Sequence, residues 1–146
     1  MEYKLASSTW DDKEIKAIHK VIDSNNYTMG ERVKECENNF ADFVGSKYVL
    51  MTSSGSAANL LMIASMFYTQ DETKRLKRGD EIIVPAVSWS TTYFPLQQYG
   101  LKVKFVDIDL ETLNIDLSKL KKAITHKTKA ILAVNLLGNP NDFDSI

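Results

Sequence analysis

The residues best placed to do chemistry lie in "LMTSSGSAANLLM", Leu50 to Met62, where an apolar run ends in a small-residue turn that opens into a helical pattern. The start of a helix presents unpaired N–H groups and the positive end of its dipole, and both favour an anion. Gly55 allows close backbone approach, and the hydroxyls of Ser53, Ser54 and Ser56 can donate to phosphate oxygens. The segment predicts a cradle for a phosphate-bearing ligand; the competing reading is an ordinary turn with a serine N-cap. It lacks the Gly-Lys-Ser/Thr ending of a P-loop and the three spaced glycines of a dinucleotide fingerprint. Nor is it a hydrolase nucleophile elbow, because Ala58 stands where the second glycine is needed.

The other reactive side chains offer less. Cys36, the only cysteine, falls at helical spacing on one face with Val33, Phe40 and Phe43, and is expected to be a buried small hydrophobe. His19 lies on a charged helix face and His126 in a polar loop between lysines, so both are expected to be solvated. Asp107, Asp109 and Asn114, in "VDIDLETLNID", are expected to shape turns.

Elements must position the Gly55 turn. The chain of 146 residues is 44% hydrophobic and 25% charged, within the ordinary globular range. Its 18 basic and 19 acidic residues give a net charge of −1, spread evenly, which argues against a nucleic-acid groove or a polybasic membrane contact. No apolar run approaches the ~18 residues that span a bilayer, and "MEYKLASSTW" lacks the regions of a signal peptide, so a cytoplasmic protein is expected. After an N-terminal arm, Thr9 and Asp12 resemble a capping box, followed by a surface helix with Ile15, Ile18, Val21 and Ile22 on one face. A second helix is expected to end at Gly45. Then "KYVLMT" reads as a strand, "SAANLLMIASMFY" as an apolar helix, "TQDETKRLKRGD" as a polar link and "EIIVP" as a strand. "STTYFPLQQYG" reads as a helix that Pro95 should kink or end early, "KVKFVDID" as a strand, "DLSKLKKAI" as a helix and "KAILAVNLLG" as a strand. This alternation predicts an α/β fold, a mostly parallel sheet flanked by helices, with ligands at the carboxyl ends of the strands.

Three motifs in order carry a resemblance: "SSGSAANL", "GDEIIVPAVSWSTTYFPLQQYGLKVKFVDIDLETLNID" and "KTKAILAVNLLGNPNDFD". Together with "TMGERVKECENNFADFVGSKYVLM", they make the chain similar to the DegT/DnrJ/EryC1/StrS sugar aminotransferases, fold-type I enzymes that depend on pyridoxal 5′-phosphate (PLP). The resemblance implies an arm and helices over 1–45 and the N-terminal part of a PLP-binding large domain, incomplete in this chain, over 46–146. It implies that the backbone of Ser56 and Ala57, with the Ser56 hydroxyl, holds the PLP phosphate while Gly55 permits the approach. Trp89, four places after Pro85, matches the position that stacks on the pyridine ring; the alternative is a core aromatic. Asn135 stands near the ring where many relatives carry His; equally, it can be a turn former that bonds the backbone. Thr28, Met29 and Gly30 resemble a segment close to the family's site.

None of the lysines matches the family's Schiff-base motif, and the acidic partner of the pyridine nitrogen is also missing. No catalytic residue is therefore assigned within this segment: the Schiff-base Lys, or a His that replaces it, is expected beyond Ile146. The resemblance implies amino transfer from a donor such as glutamate to a nucleotide-linked keto-sugar, in polysaccharide or modified-sugar biosynthesis, by a homodimer. One alternative is the family's branch of 3-dehydratases, which "GSAANLL" and the long polar link resemble. A non-catalytic phosphate-binding α/β module is another.

Overall fold

The computed structural model describes residues 7–146. They form two compact units, the first ending at Met51 and the second running from Thr52 to Ile146.

In the first unit, helix α1 (Asp12–Ser24) is capped by Asp11 rather than Thr9. The Asp11 carboxylate accepts from the Lys13 N–H at 2.6 Å, and Glu14 accepts from the Asp11 N–H at 2.7 Å. The box lies two residues later than expected because a carboxylate caps as well as a hydroxyl, and Glu reaches back where Asp12 would be short. Helix α2 (Glu31–Val44) ends, as expected, at Gly45, whose φ of 68° is the left-handed conformation glycine adopts without a Cβ penalty. The expectation that Cys36 is buried fails. Cys36 is exposed, and so are Phe40 and Phe43, the latter by 85%. Helical spacing aligns this stripe, but alignment alone buries nothing; Ala41 is the residue of α2 that is buried.

"KYVLMT" is not a strand either. A strand exists only as a member of a ladder, and no such pairing involves these residues; the Met51 N–H donates instead to the Glu37 carboxylate at 2.8 Å.

The second unit carries the alternation read from the sequence: α3 (Gly55–Tyr68), β1 (Glu81–Pro85), α4 (Ser90–Gln98), β2 (Lys102–Val106), α5 (Leu117–Ala123) and β3 (Thr128–Ile131). The three strands are parallel in the order β2-β1-β3. Pairing with β2 runs unbroken from Glu81↔Lys102 to Pro85↔Val106, while pairing with β3 shifts register between Glu81 and Ile82. Successive β1 side chains alternate between two cores. Ile82 and Val84 join Ile63, Leu76, Leu96 and Leu101, and Ile83 joins Val106, Ile115 and Leu120 on the other face. Burial on both faces is why "EIIVP" is continuously apolar. Leu76 makes the link after α3 less polar than it reads: it is buried, and its N–H donates to the Met66 carbonyl at 2.9 Å.

Strand β3 is shorter than "KAILAVNLLG". The Leu132 N–H still reaches the Ile83 carbonyl at 2.9 Å, but Pro85 has no N–H with which to extend the ladder. Helix α4 runs three residues past Pro95 before it ends at Gln98. The acids of the β2–α5 connection are turn formers, as expected. Asp109 accepts from the Glu111 and Thr112 N–H groups at 2.9 Å each, and Asn114 donates to the Pro140 carbonyl at 2.8 Å. The Lys119 ammonium, 2.8 Å from Asp107, holds that carboxyl below its usual range.

Among the described residues, no helix is long and apolar enough to cross a membrane. Ile83 is 0% exposed, so Ile83→Ala should destabilise the chain by about 2–5 kcal/mol, the cost of truncating a close-packed aliphatic side chain. Ile124→Ala, at a side chain 46% exposed, should cost distinctly less. Urea denaturation of both variants checks this, and equal shifts would contradict the placement of the core.

Candidate functional site

The Gly55 turn is the N-terminus of α3. Ser54 is the N-cap, and its hydroxyl accepts from the Ala57 N–H at 3.1 Å. The Ala58 N–H donates to the Ser54 carbonyl at 2.9 Å, which closes the first helical turn. Among the described residues the Gly55 and Ser56 N–H groups have no protein acceptor, as expected for the first positions of a helix. For Ala57 to bind a phosphate oxygen, the Ser54 hydroxyl must give up its bond. A Cβ built on Gly55 meets nothing within 4 Å, and its φ is not in the left-handed region. Neither the packing nor the backbone of this chain requires glycine there, so the open space above it is available to an incoming group. The serine cap of the competing reading is present, and it leaves the Gly55 and Ser56 N–H groups open.

Trp89 is the N-cap of α4 and is 75% exposed. It is therefore not a core aromatic, and its ring is free to stack. The turn beneath it is held by two side-chain bonds. The Tyr93 hydroxyl donates to the Pro85 carbonyl at 2.7 Å, and the Ser88 and Thr92 hydroxyls are 2.9 Å apart. Burial pushes the Tyr93 phenol above its ordinary value, which keeps it a donor.

The two helix starts are neighbours. The Asn59 side-chain amide, in the second turn of α3, donates to the carbonyl of Thr91, the second residue of α4, at 3.3 Å. Sequence reasoning missed Asn59, Ser88 and Tyr93. Pro95 carried a usable signal for the first, because a proline inside a helix leaves the carbonyl four residues earlier without its N–H donor.

Asn135 caps the short 3-10 turn Leu136–Gly138 after β3. Its side-chain oxygen accepts from the Asn141 N–H at 3.0 Å and from the Asn141 side-chain amide at 2.9 Å. Asn141 is buried and also donates to the Val134 carbonyl, so the pair ties the loop together and Asn135 has a turn-forming role. Thr28, Met29 and Gly30 belong to the first unit, where Gly30 is the N-cap of α2 and Met29 has a φ of 47°. The described residues contain no cluster of three or more His, Cys, Asp or Glu fit to hold a metal.

The parallel sheet with its flanking helices is the α/β arrangement of fold-type I enzymes. The chain belongs to the DegT/DnrJ/EryC1/StrS aminotransferase family, whose model matches residues 8–146. It is 70% identical over its whole length to a GDP-4-keto-6-deoxy-D-mannose 3-dehydratase of Yersinia pseudotuberculosis. It is 38% identical over 135 residues, 92% of the chain, to a UDP-2-acetamido-2-deoxy-3-oxo-D-glucuronate aminotransferase of Pseudomonas aeruginosa, and spans 35% of that protein. The structure of the E. coli GDP-4-keto-6-deoxy-D-mannose-3-dehydratase with bound hydrated PLP superposes with a TM-score of 0.94 at 68% identity, over 99% of this chain and 36% of that one. The chain spans 37% of the length of the Yersinia dehydratase.

Because the Trp89 ring is exposed, Trp89→Ala should leave folding stability within about 0.5 kcal/mol, whereas a core tryptophan would cost ~3–5 kcal/mol. Chemical denaturation of this chain decides between them.

Proposed function

We propose that the chain is the cofactor-phosphate-binding part of a PLP-dependent nucleotide-sugar 3-dehydratase. One observation carries this reading: identity to a 3-dehydratase is 70% across the entire chain, against 38% to a sugar aminotransferase. Amino transfer, which the motifs alone placed first, becomes the second reading, supported at the level of the family.

The residues present fit PLP. The unpartnered Gly55 and Ser56 N–H groups can each donate to a phosphate oxygen, the Ser56 hydroxyl adds a donor, and the Ala57 N–H can join them if Ser54 releases it. The space that a Cβ at Gly55 would fill is left for the phosphate. Trp89 offers a flat apolar face to the ring and keeps water from it. We assign Asn135 a supporting role: its oxygen holds the loop after β3 through Asn141, and the residue is exposed. When bound, PLP supplies an electron sink for bond breaking next to the carbon that carries its nitrogen. No residue of this chain is assigned to proton transfer or to covalent attachment of the cofactor.

The substrate class proposed is a GDP-linked 4-keto-6-deoxy sugar, and the nitrogen donor an amino acid such as glutamate. A homodimer is part of the same proposal. The exposed Phe40 and Phe43 of the first unit, with ring centroids 6.4 Å apart, support it because adjoining exposed apolar side chains mark a face that another surface can cover.

The test joins this chain to the carboxyl-terminal remainder of the Yersinia relative and supplies PLP, glutamate and the GDP-linked sugar. A product lacking the C3 oxygen and carrying no amino nitrogen is expected; an aminated sugar would replace this reading with amino transfer. The 146 residues alone should turn over no faster than free PLP.

A further inference from the structure

Asn59 and Pro95 do something together that neither does alone. In an α-helix the Thr91 carbonyl would accept from the N–H of residue 95, but Pro95 has none. That acceptor is partly buried between α3 and α4, where an unpaired carbonyl is costly. The Asn59 amide fills the place, at 3.3 Å. Asn59 lies four residues after Gly55 and so one helical turn from the phosphate-ready N–H groups; Thr91 lies two residues after Trp89. The proline thus frees an acceptor within two residues of the exposed aromatic, and the amide that takes it stands one turn from the anion cradle.

We infer that Asn59 is a positioning residue, which uses the carbonyl freed by Pro95 to clamp the second turn of α3 to the first turn of α4 and so fixes the Trp89 ring relative to the phosphate cradle. The inference rests on the proposed PLP site and names what sets its dimensions. PLP is a rigid molecule whose phosphate and ring have a limited reach, so a site that grips both ends must keep its two grips at constant separation. The Ser88–Thr92 and Tyr93–Pro85 bonds hold the Trp89 turn on β1, but they do not link it to α3. Among the described side-chain hydrogen bonds, Asn59 to Thr91 is the one that joins the two helices.

The test uses this chain with Trp10→Phe, which leaves Trp89 as the single tryptophan, and follows quenching of its fluorescence by PLP. Asn59→Ala should weaken PLP binding about three- to tenfold, the worth of one hydrogen bond, while binding of inorganic phosphate to the cradle stays unchanged. The decisive variant adds Pro95→Ala, which restores an N–H to bond the Thr91 carbonyl inside α4. In Asn59→Ala/Pro95→Ala the denaturation midpoint should recover, because the carbonyl is paired again, whereas PLP affinity should stay low, because the clamp is still missing. Recovery of affinity together with stability would mean that Asn59 merely satisfies a buried carbonyl, and unchanged affinity in Asn59→Ala would remove it from the site; either overturns the inference. Failure of the unsubstituted chain to bind PLP would overturn the cofactor assignment instead, and the inference with it.

Discussion

Everything in the second unit depends on β1 being paired on both edges and packed on both faces. Its hydrogen bonds go to β2 on one side and β3 on the other, while Ile82 and Val84 point into one core and Ile83 into the other. A strand held in four directions has no freedom left, so the place where it ends is fixed as well. That place is Pro85, whose missing N–H stops the ladder on the β3 side, while the Ala86 N–H still donates to the Val106 carbonyl at 2.7 Å, and whose carbonyl receives the Tyr93 hydroxyl. The next four residues lead to Trp89. The aromatic at the start of α4 is thus placed by the most constrained strand, which is how an α/β fold supports a ligand site on loops without loose geometry.

The α3 end is built differently. No paired strand leads into it, since Tyr48–Thr52 belongs to no ladder. Its position comes from the helix itself, through Ile63 in the core and Asn59 against Thr91. One half of the candidate site therefore hangs on the sheet and the other on a helix. The carbonyl left open by Pro95 is where they meet.

Local chemistry was legible in the sequence wherever a residue acts on its own backbone. Gly45 ends α2 and Asp109 bonds its own turn, each because a missing Cβ or a side chain biases the nearest peptide groups. "EIIVP" was legible because burial on both faces leaves a continuous apolar run. What failed needed a partner to be true. "KYVLMT" has strand composition and no ladder, and Cys36 has core periodicity and, among the described residues, no covering element. Composition states what a segment can pair with, and packing states whether it does. At the site, the Gly55 turn was legible from residue order alone, while Asn59 was not, because its partner lies 32 positions away and is a backbone atom without a sequence signature.

The neighbouring starts of α3 and α4 also shape the approach of an anion before it touches anything. Each helix start carries a fraction of a positive charge, and two of them side by side sum into one local field although the chain as a whole is close to neutral. Phosphate-bearing molecules would be drawn in by that local field rather than by net charge, so salt would slow their capture through short-range screening alone. An overall charge of −1 then sets no barrier to binding an anion: the attraction is written in the direction of peptide bonds, where a count of lysines and arginines does not record it.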